Sequence, residues 1–242
     1  MSWELYEGDC LKIMPTLSDK SIDMILCDLP YGTTACSWDA VIPFEPLWRE
    51  YERLIKDNGA IVLTASQPFT TSLISSNMKH FKYCWVWNKK ISGNPLLAKY
   101  QPLKIHEDVC VFSYGSNNYN PLMRKGKKRV KGGGYSKLLQ MEMTKSVSDE
   151  YYPVSILEFS NAKRGLHPTQ KPVALFEYLI KTYTNPGDLI LDNCAGSGTT
   201  GVAAENLGRN SILIEKDPKY CEIIRKRMAN RQTTLFERGA DL

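Results

Sequence analysis

Long apolar runs are missing from this chain: none of its 242 residues lies in a stretch near the about 18 apolar residues that a membrane span needs. The opening Met1-Ser2-Trp3-Glu4-Leu5 lacks the basic and apolar regions of a secretory leader, so no membrane association is expected and the cytosol is the expected compartment. Cysteine is scarce and odd in number, seven residues with no CxxC pair, which argues against a disulfide framework and a zinc knuckle and leaves reduced thiols as the expectation. No metal is expected. There is no GxxxxGK[ST] phosphate loop and no cluster of acids with lysine, so neither translocation nor strand cleavage is expected of this polypeptide. Net charge is also small, with 31 basic residues against 26 acidic giving +5.

The composition is that of a globular protein, 43% hydrophobic and 24% charged. The length suits one domain with an insertion better than two domains. The charge is unevenly spread. Between Gly115 and Lys145 stand Arg124, Lys125, Lys127, Lys128, Arg129, Lys131, Lys137 and Lys145 against Glu142 alone. That segment carries +7, so the rest of the chain sums to −2. A polyanion is the partner such a segment fits, although a charge run taken alone is more often a solvated face.

Strands and helices alternate elsewhere, which predicts an α/β fold with a parallel sheet covered on both faces. The predicted strands are 22–27, 60–64, 81–87, 107–112, 188–192 and 211–215. The predicted helices are 44–56, 67–78, about 173–184, 199–207 and 218–231. No periodicity persists from Gly115 to Leu166, and Lys131-Gly132-Gly133-Gly134 reads as flexible, so 115–166 is expected to be an insertion between the parts 1–114 and 167–242 of one domain.

At one strand-to-helix turn the chain reads Asp192-Asn193-Cys194-Ala195-Gly196-Ser197-Gly198-Thr199-Thr200-Gly201, with Glu215 at the end of the next strand. Gly196, Gly198 and Gly201 satisfy GxGxxG, which serves either a nucleotide site or only close helix-strand packing. A pyrophosphate would be repelled by Asp192, and only 27 residues follow Glu215, too few for the second half of a dinucleotide fold. A cationic, phosphate-free ligand fits better. S-adenosylmethionine is such a ligand, and its ribose hydroxyls suit an acid such as Glu215.

Three phrases in order, Asp28-Leu29-Pro30-Tyr31, His167-Pro168-Thr169-Gln170-Lys171-Pro172 and Ala195-Gly196-Ser197-Gly198, resemble the β class of DNA amino-methyltransferases. The phrases Trp85-Val86-Trp87-Asn88-Lys89 and His106-Glu107 fit it too, and the likeness runs from about Gly8 to Arg227. The resemblance implies a Rossmann-like, doubly wound, mixed seven-stranded sheet with permuted motif order and an inserted target-recognition region. It places S-adenosylmethionine against Asp9 and Cys10, Asp28, the segment Thr169, Lys171 and Pro172, the loop from Asp192 and Asn193 through Cys194, Ala195, Gly196, Ser197 and Gly198 to Thr199 and Thr200, and Glu215 with Lys216. Asp9 equally suits the cap of a following helix.

An exocyclic amine is a poor nucleophile because its lone pair is conjugated into the ring, so the reaction needs acceptors that hold it in a more tetrahedral geometry. Here Asp28 and the Leu29 carbonyl are expected to accept its two N–H groups, Pro30 to fix the turn, and Tyr31 to stack on a base swung out of the duplex. The usual motif has proline at Leu29, where the useful group is the main-chain carbonyl, and an aromatic at Cys194, whose thiol would partly fill that space. The same resemblance implies that aspartate at position 28 favours adenine N6 over cytosine N4. Methylation at cytosine C5 needs a Pro-Cys nucleophile, and no such dipeptide occurs. Within the resemblance, the segment bearing Arg124, Lys125, Lys127, Lys128, Arg129 and Lys131 becomes the region that meets double-stranded DNA, and a homodimer is an expected assembly. The alternatives are a cytosine-N4 enzyme, an RNA amino-methyltransferase, and a non-catalytic nucleic-acid-binding protein of the same fold.

Overall fold

The computed structural model describes residues 2–33, 40–93, 95–136, 138–142, 144–161 and 170–239, with side chains for all of these except 131, 135, 136 and 230–239. In chain order the elements are β1 (Trp3–Glu7), α1 (Cys10–Ile13), β2 (Ile22–Asp28), α2 (Phe44–Leu54), β3 (Ile55–Ala65), α3 (Phe69–Ser76), β4 (Phe81–Asn88) and β5 (His106–Phe112). They continue with β6 (Arg124–Lys131), β7 (Tyr135–Ser136), β8 (Met141–Glu142), β9 (Ser146–Tyr151), β10 (Ile156–Glu158), α4 (Val173–Tyr183), β11 (Leu189–Asp192), α5 (Thr199–Asn206), β12 (Asn210–Glu215) and α6 (Pro218–Gly239). No described helix is long and apolar enough to cross a membrane.

The chain forms two compact units, residues 120–154 and the remainder. In the larger unit one sheet has the order β1-β12-β11-β2-β3-β5-β4-β10. Every pairing in it is parallel except the two made by β5. This is the doubly wound mixed sheet expected, with eight strands instead of seven. The eighth, β10, lies inside the stretch expected to be an insertion; it pairs parallel with β4, Ile156 opposite Val86. Three residues without alternation are too short to read as a strand. Edge strand β1 carries Glu4 and Glu7 and also gives no apolar run.

Two faces bury two cores. Ile25, Cys27, Ile61, Leu63, Cys110 and Phe112 point to one face, where Leu47, Trp48, Tyr51 and Leu54 of α2 and Phe69 of α3 pack. Met24, Leu26, Ala60, Val62, Val109 and Val111 point to the other, under Leu175, Phe176, Leu179 and Ile180 of α4 and Ala203 and Ala204 of α5. Central strands covered on both sides read as continuous apolar runs, as β2 does. Helix α2 stops at Leu54, two residues earlier than expected, because Ile55 is drawn into the sheet opposite Ile22.

The smaller unit is a hairpin of β6 and β9, with Val130 opposite Val147, beside the short pair β7 and β8. Its ladder slips between Lys125 and Arg129. There Tyr151 lies across Gly126, where a Cβ would come within 2.8 Å of the ring. Hydrogen bonds between strands, not an apolar face, organise this unit, so it carries no hydrophobic period.

Candidate active site

Strands β2 and β11 are neighbours, but the chain leaves them in opposite directions, β2 toward β3 and β11 toward β12. At the carboxyl ends of parallel strands, such a reversal opens a crevice between the loops. Asp28 closes β2, Asp192 closes β11 and Glu215 closes β12, so three carboxylates reach one edge by topology. The crevice has a volume of about 1000 Å³.

The glycine loop sits on its floor. Gly196 and Gly198 have φ of +52° and +78°, which L side chains rarely adopt, and a Cβ on Gly198 would meet Ile224 at 3.0 Å. Glu215 holds the loop: its Oε2 accepts from Gly196 N at 2.7 Å and its Oε1 from Asp217 N at 2.8 Å. Burial raises the Glu215 carboxyl while these amides lower it, with a net rise. Asp192 is 3% exposed, accepts from Cys194 N at 3.1 Å and from the Thr200 hydroxyl, and burial pushes it up to about 6. Asn193 accepts from the Tyr51 hydroxyl at 2.6 Å, pinning the loop to α2. Ala195, Ser197 and Thr199 also line the crevice.

Asp9 is the cap of α1, accepting from Leu11 N at 2.9 Å, and also lines the crevice with Cys10 and Lys216. Cys10 and Cys27 are buried in the core against which Cys194 packs, and burial holds Cys27 up at about 12. Under the glycine loop Cys194 thus joins a cluster of protonated thiols. No three His, Cys, Asp or Glu among the described residues could hold a metal ion.

Asp28 is the most connected acid of the crevice. Its Oδ1 accepts from the Tyr31 hydroxyl at 2.9 Å and from Thr64, and its Oδ2 meets Lys171 Nζ at 2.7 Å. Leu29 is buried, and it lines the crevice with Pro30. The Tyr31 ring is stacked on Phe69, centroids 5.1 Å apart, with the Lys171 ammonium 5.6 Å from its centroid. Lys171, expected in the segment against the cofactor, lines the crevice; its ammonium is 7% exposed between Asp28 and Glu107, whose Oε2 lies 3.3 Å away without hydrogen-bond geometry. Glu107 Oε1 binds Lys89 Nζ at 2.9 Å. Burial alone would lower the Lys171 pKa, but Asp28 and Glu107 outweigh it and raise it; burial alone would raise Glu107, but Lys171 and Lys89 bring it below its ordinary value. Alternating charges therefore run Asp28, Lys171, Glu107, Lys89. Pro172 caps α4, and Thr169 lies outside the described residues.

Glu107, Lys89 and Thr64 had no expected role. The first two stand in phrases that resemble the family, so a signal existed; Thr64 is brought to Asp28 only by the register of β2 on β3.

Of the expected DNA-contacting residues, Lys125, Lys127 and Lys128 are exposed on the hairpin. Arg124 donates to the Tyr152 carbonyl at 3.2 Å. Arg129 donates to the Glu150 carbonyl and lies 4.0 Å over the Tyr151 ring. Both guanidiniums thus hold the hairpin together, and Tyr151 is covered. The Lys131 side chain is not among those described.

A family model described as DNA methylase matches residues 22–226. The type II methyltransferase M2.DpnII of Streptococcus pneumoniae is 28% identical over 255 residues, covering 95% of this chain and 91% of that protein. Two solved structures share the fold, each with a TM-score of 0.65. One is the complex of M1.HpyAVI with SAM, 24% identical and covering 93% of this chain and 99% of that one. The other is the cytosine-N4-specific PvuII DNA methyltransferase, 18% identical and covering 91% and 84%. With its family match spanning both the Asp28 loop and the glycine loop, the chain belongs to the DNA methylase family.

Proposed function

We propose that the protein transfers a methyl group from S-adenosylmethionine to the N6 amine of an adenine turned out of double-stranded DNA, in the cytosol of a bacterial or phage-infected cell. The observation that carries this reading is the convergence of Asp28 and the glycine loop on one crevice at the β2/β11 reversal.

The crevice suits the cofactor chemically. Among its described lining residues are six carboxylates, Asp9, Asp28, Glu107, Asp192, Glu215 and Asp217, against Lys89, Lys171 and Lys216. Such a surface favours a cation and opposes a pyrophosphate. The left-handed glycines bring backbone close to a ligand, and Glu215, with one contact on each oxygen, keeps lone pairs for two ribose hydroxyls. Asp192, Asn193, Cys194, Ala195, Ser197, Thr199, Cys10 and Lys216 would form the remaining walls, with the fully buried Thr200 acting only through its hydrogen bond to Asp192, and Asp9 would take an N–H of the cofactor adenine. When bound, S-adenosylmethionine supplies a methyl group activated by its sulfonium.

The chain's own residues prepare the amine. Asp28 is aimed by three partners and retains room for one N–H, while the Leu29 carbonyl takes the other, held by Pro30. Together they localise the lone pair that conjugation would otherwise spread into the ring. Lys171 fixes the orientation of the Asp28 carboxylate, and Glu107 balances Lys171 so that the cation does not compete for the base. Asp28 is also the acceptor nearest to the proton that the methylated amine sheds. Tyr31, whose hydroxyl fixes Asp28 and whose ring rests on Phe69, offers the base its other face. Lys125, Lys127 and Lys128 would neutralise phosphates.

Titrating S-adenosylmethionine into the wild type and Asp28→Ala, and following methyl incorporation into DNA by both, tests this division of labour. Binding is expected within about threefold of wild type and incorporation reduced at least about 1000-fold, the scale of losing positioned acceptors. Retained incorporation, or loss of binding in a folded variant, would overturn it.

A further inference from the structure

The residues between β4 and β5 contain four lysines, Lys89, Lys90, Lys99 and Lys104, and no acid from Asn88 to His106. The excursion is closed at its stem, where Lys89 N donates to the Ile105 carbonyl at 2.7 Å, and is tied to the crevice rim by Lys104 Nζ on the Ser66 hydroxyl at 2.5 Å. Its tip is apolar yet unburied. Leu96 and Tyr100 are 85% and 84% exposed, and Ile91 is 64% exposed. The tip is also ordered: a 3₁₀ turn at Pro95–Leu97 runs on through hydrogen bonds from Ala98 N to Pro95 O, from Tyr100 N to Leu97 O and from Gln101 N to Leu97 O. Leu96 and Tyr100, four residues apart, both project from this turn into solvent. A second cavity of about 350 Å³ under the tip is lined by Leu97 and Lys104 and shares Thr33, Ser66, Lys89 and Gly93 with the large crevice. The apolar tip therefore stands on the rim of the pocket that contains Asp28.

A soluble surface that exposes leucine and tyrosine together, ringed by cations, fits a partner that is both polyanionic and apolar inside. Stacked nucleic acid has both properties. We infer that the turn 95–100 is a wedge that enters duplex DNA beside the target adenine, Leu96 and Tyr100 occupying the space the base leaves, while Lys99, which has no partner among the described residues, meets a neighbouring phosphate. The other lysines of the excursion are engaged, Lys89 with Glu107, Lys90 with Glu158 at 3.2 Å and Lys104 with Ser66, and fix its base. Cavity and tip together give each part of an extruded nucleotide's gap a place: the base in the crevice, the side chains in the stack. This wedge rests on the proposed DNA reading and assigns it residues outside the basic hairpin.

The test compares Leu96→Ser/Tyr100→Ser with the wild type on three unmethylated substrates: fully paired duplex, the same duplex carrying scattered mismatches, and the heat-denatured strands. The variant's methylation rate on paired DNA is expected to fall at least tenfold, the deficit to shrink on mismatched DNA, and to be at most about threefold on single strands, because pre-opened DNA needs no wedge. An equal deficit on all three, or none on paired DNA, would overturn the wedge. So would a deficit accompanied by a change of sedimentation mass, since the patch would then join two copies of this chain. Lys99→Gln supplies an independent readout: the slope of log affinity against log salt for paired DNA is expected to decrease by about 0.9, and an unchanged slope would count against the phosphate contact. A wild type that methylates none of the three substrates would instead sink the methylation reading beneath the wedge, so the two failures are distinguishable.

Discussion

The crevice edge and the basic hairpin treat charge in opposite ways. At the crevice, Lys171 is 7% exposed and buried between two carboxylates, and Asp28 has three fixed partners. On the hairpin, Lys125, Lys127 and Lys128 project into water while two arginines hold backbone carbonyls. Buried charges must be paired because an unpaired one loses its hydration without compensation, and the pairing fixes geometry to fractions of an ångström. Exposed charges are held loosely and act over a screening length of about 8–10 Å. One region suits chemistry at a single amine, and the other suits attraction to a polymer whose sequence it need not read.

Substitutions that make the crevice less paired should break this contrast most sharply. Lys171→Met leaves Asp28 and Glu107 facing each other without a cation, and removing one partner of a buried pair costs about 3–5 kcal/mol. A lower Tm and at least about a 100-fold loss of methyl transfer are expected. The double substitution Lys171→Met/Glu107→Gln also removes the partner of Lys89, so it should recover neither the Tm nor the rate, since Asp28 still lacks its cation. Recovery of rate by the double variant would show that Lys171 serves packing alone.

Asp192 gives the next effect, through pH. Its folded pKa of about 6 is above the ordinary 3.8, so it favours the protonated folded form. The stability it contributes is complete below about 4 and is lost as pH rises through about 6. Across that window the wild type should lose on the order of 2–3 kcal/mol relative to Asp192→Asn, two pKa units at 1.36 each. Parallel Tm profiles of the two from pH 4 to 7 would contradict it. A bound cation beside Asp192 should oppose the shift, so cofactor affinity is expected to increase with pH over the same range in the wild type and to be flat in the variant.

Glu215→Gln keeps one acceptor oxygen and loses the charge, and a charge-assisted hydrogen bond contributes about 1.5–3 kcal/mol. The cofactor Kd should increase about 10- to 100-fold in calorimetry, with DNA affinity unchanged. Smallest is the hairpin: Lys125→Gln/Lys127→Gln/Lys128→Gln should reduce the salt slope of DNA binding by about 0.9 per lysine and leave cofactor binding alone. Adding Arg129→Gln should lower Tm as well, because that side chain holds Glu150 and Tyr151; a neutral effect on Tm would sharpen the hairpin into a purely electrostatic surface.

The legible parts of the chain were those with a period or a steric demand. β2 reads as a buried strand because both its faces are covered, and the glycine loop reads as a turn because positive φ at Gly196 and Gly198 demands glycine. Asp28 and Asp192 were legible because each ends such a run. Lys171 was read as a cofactor contact from the phrase it stands in; only the sheet order, which sets β2 between β11 and β3, brings Asp28 and Glu107 to its ammonium. Likewise Arg124 and Arg129 looked identical in kind to Lys127 and Lys128, and pairing of β6 with β9 separates the two roles. Contacts made by strand register leave no trace in local spacing.

The most direct test is to incubate the protein with S-adenosylmethionine and unmethylated DNA, digest to nucleosides and identify the methylated base by mass spectrometry. N6-methyladenine, absent with Asp28→Ala, is the expected result. N4-methylcytosine would contradict the choice of base while keeping the crevice chemistry, and a folded, cofactor-binding protein that leaves every base unmethylated would contradict the account itself.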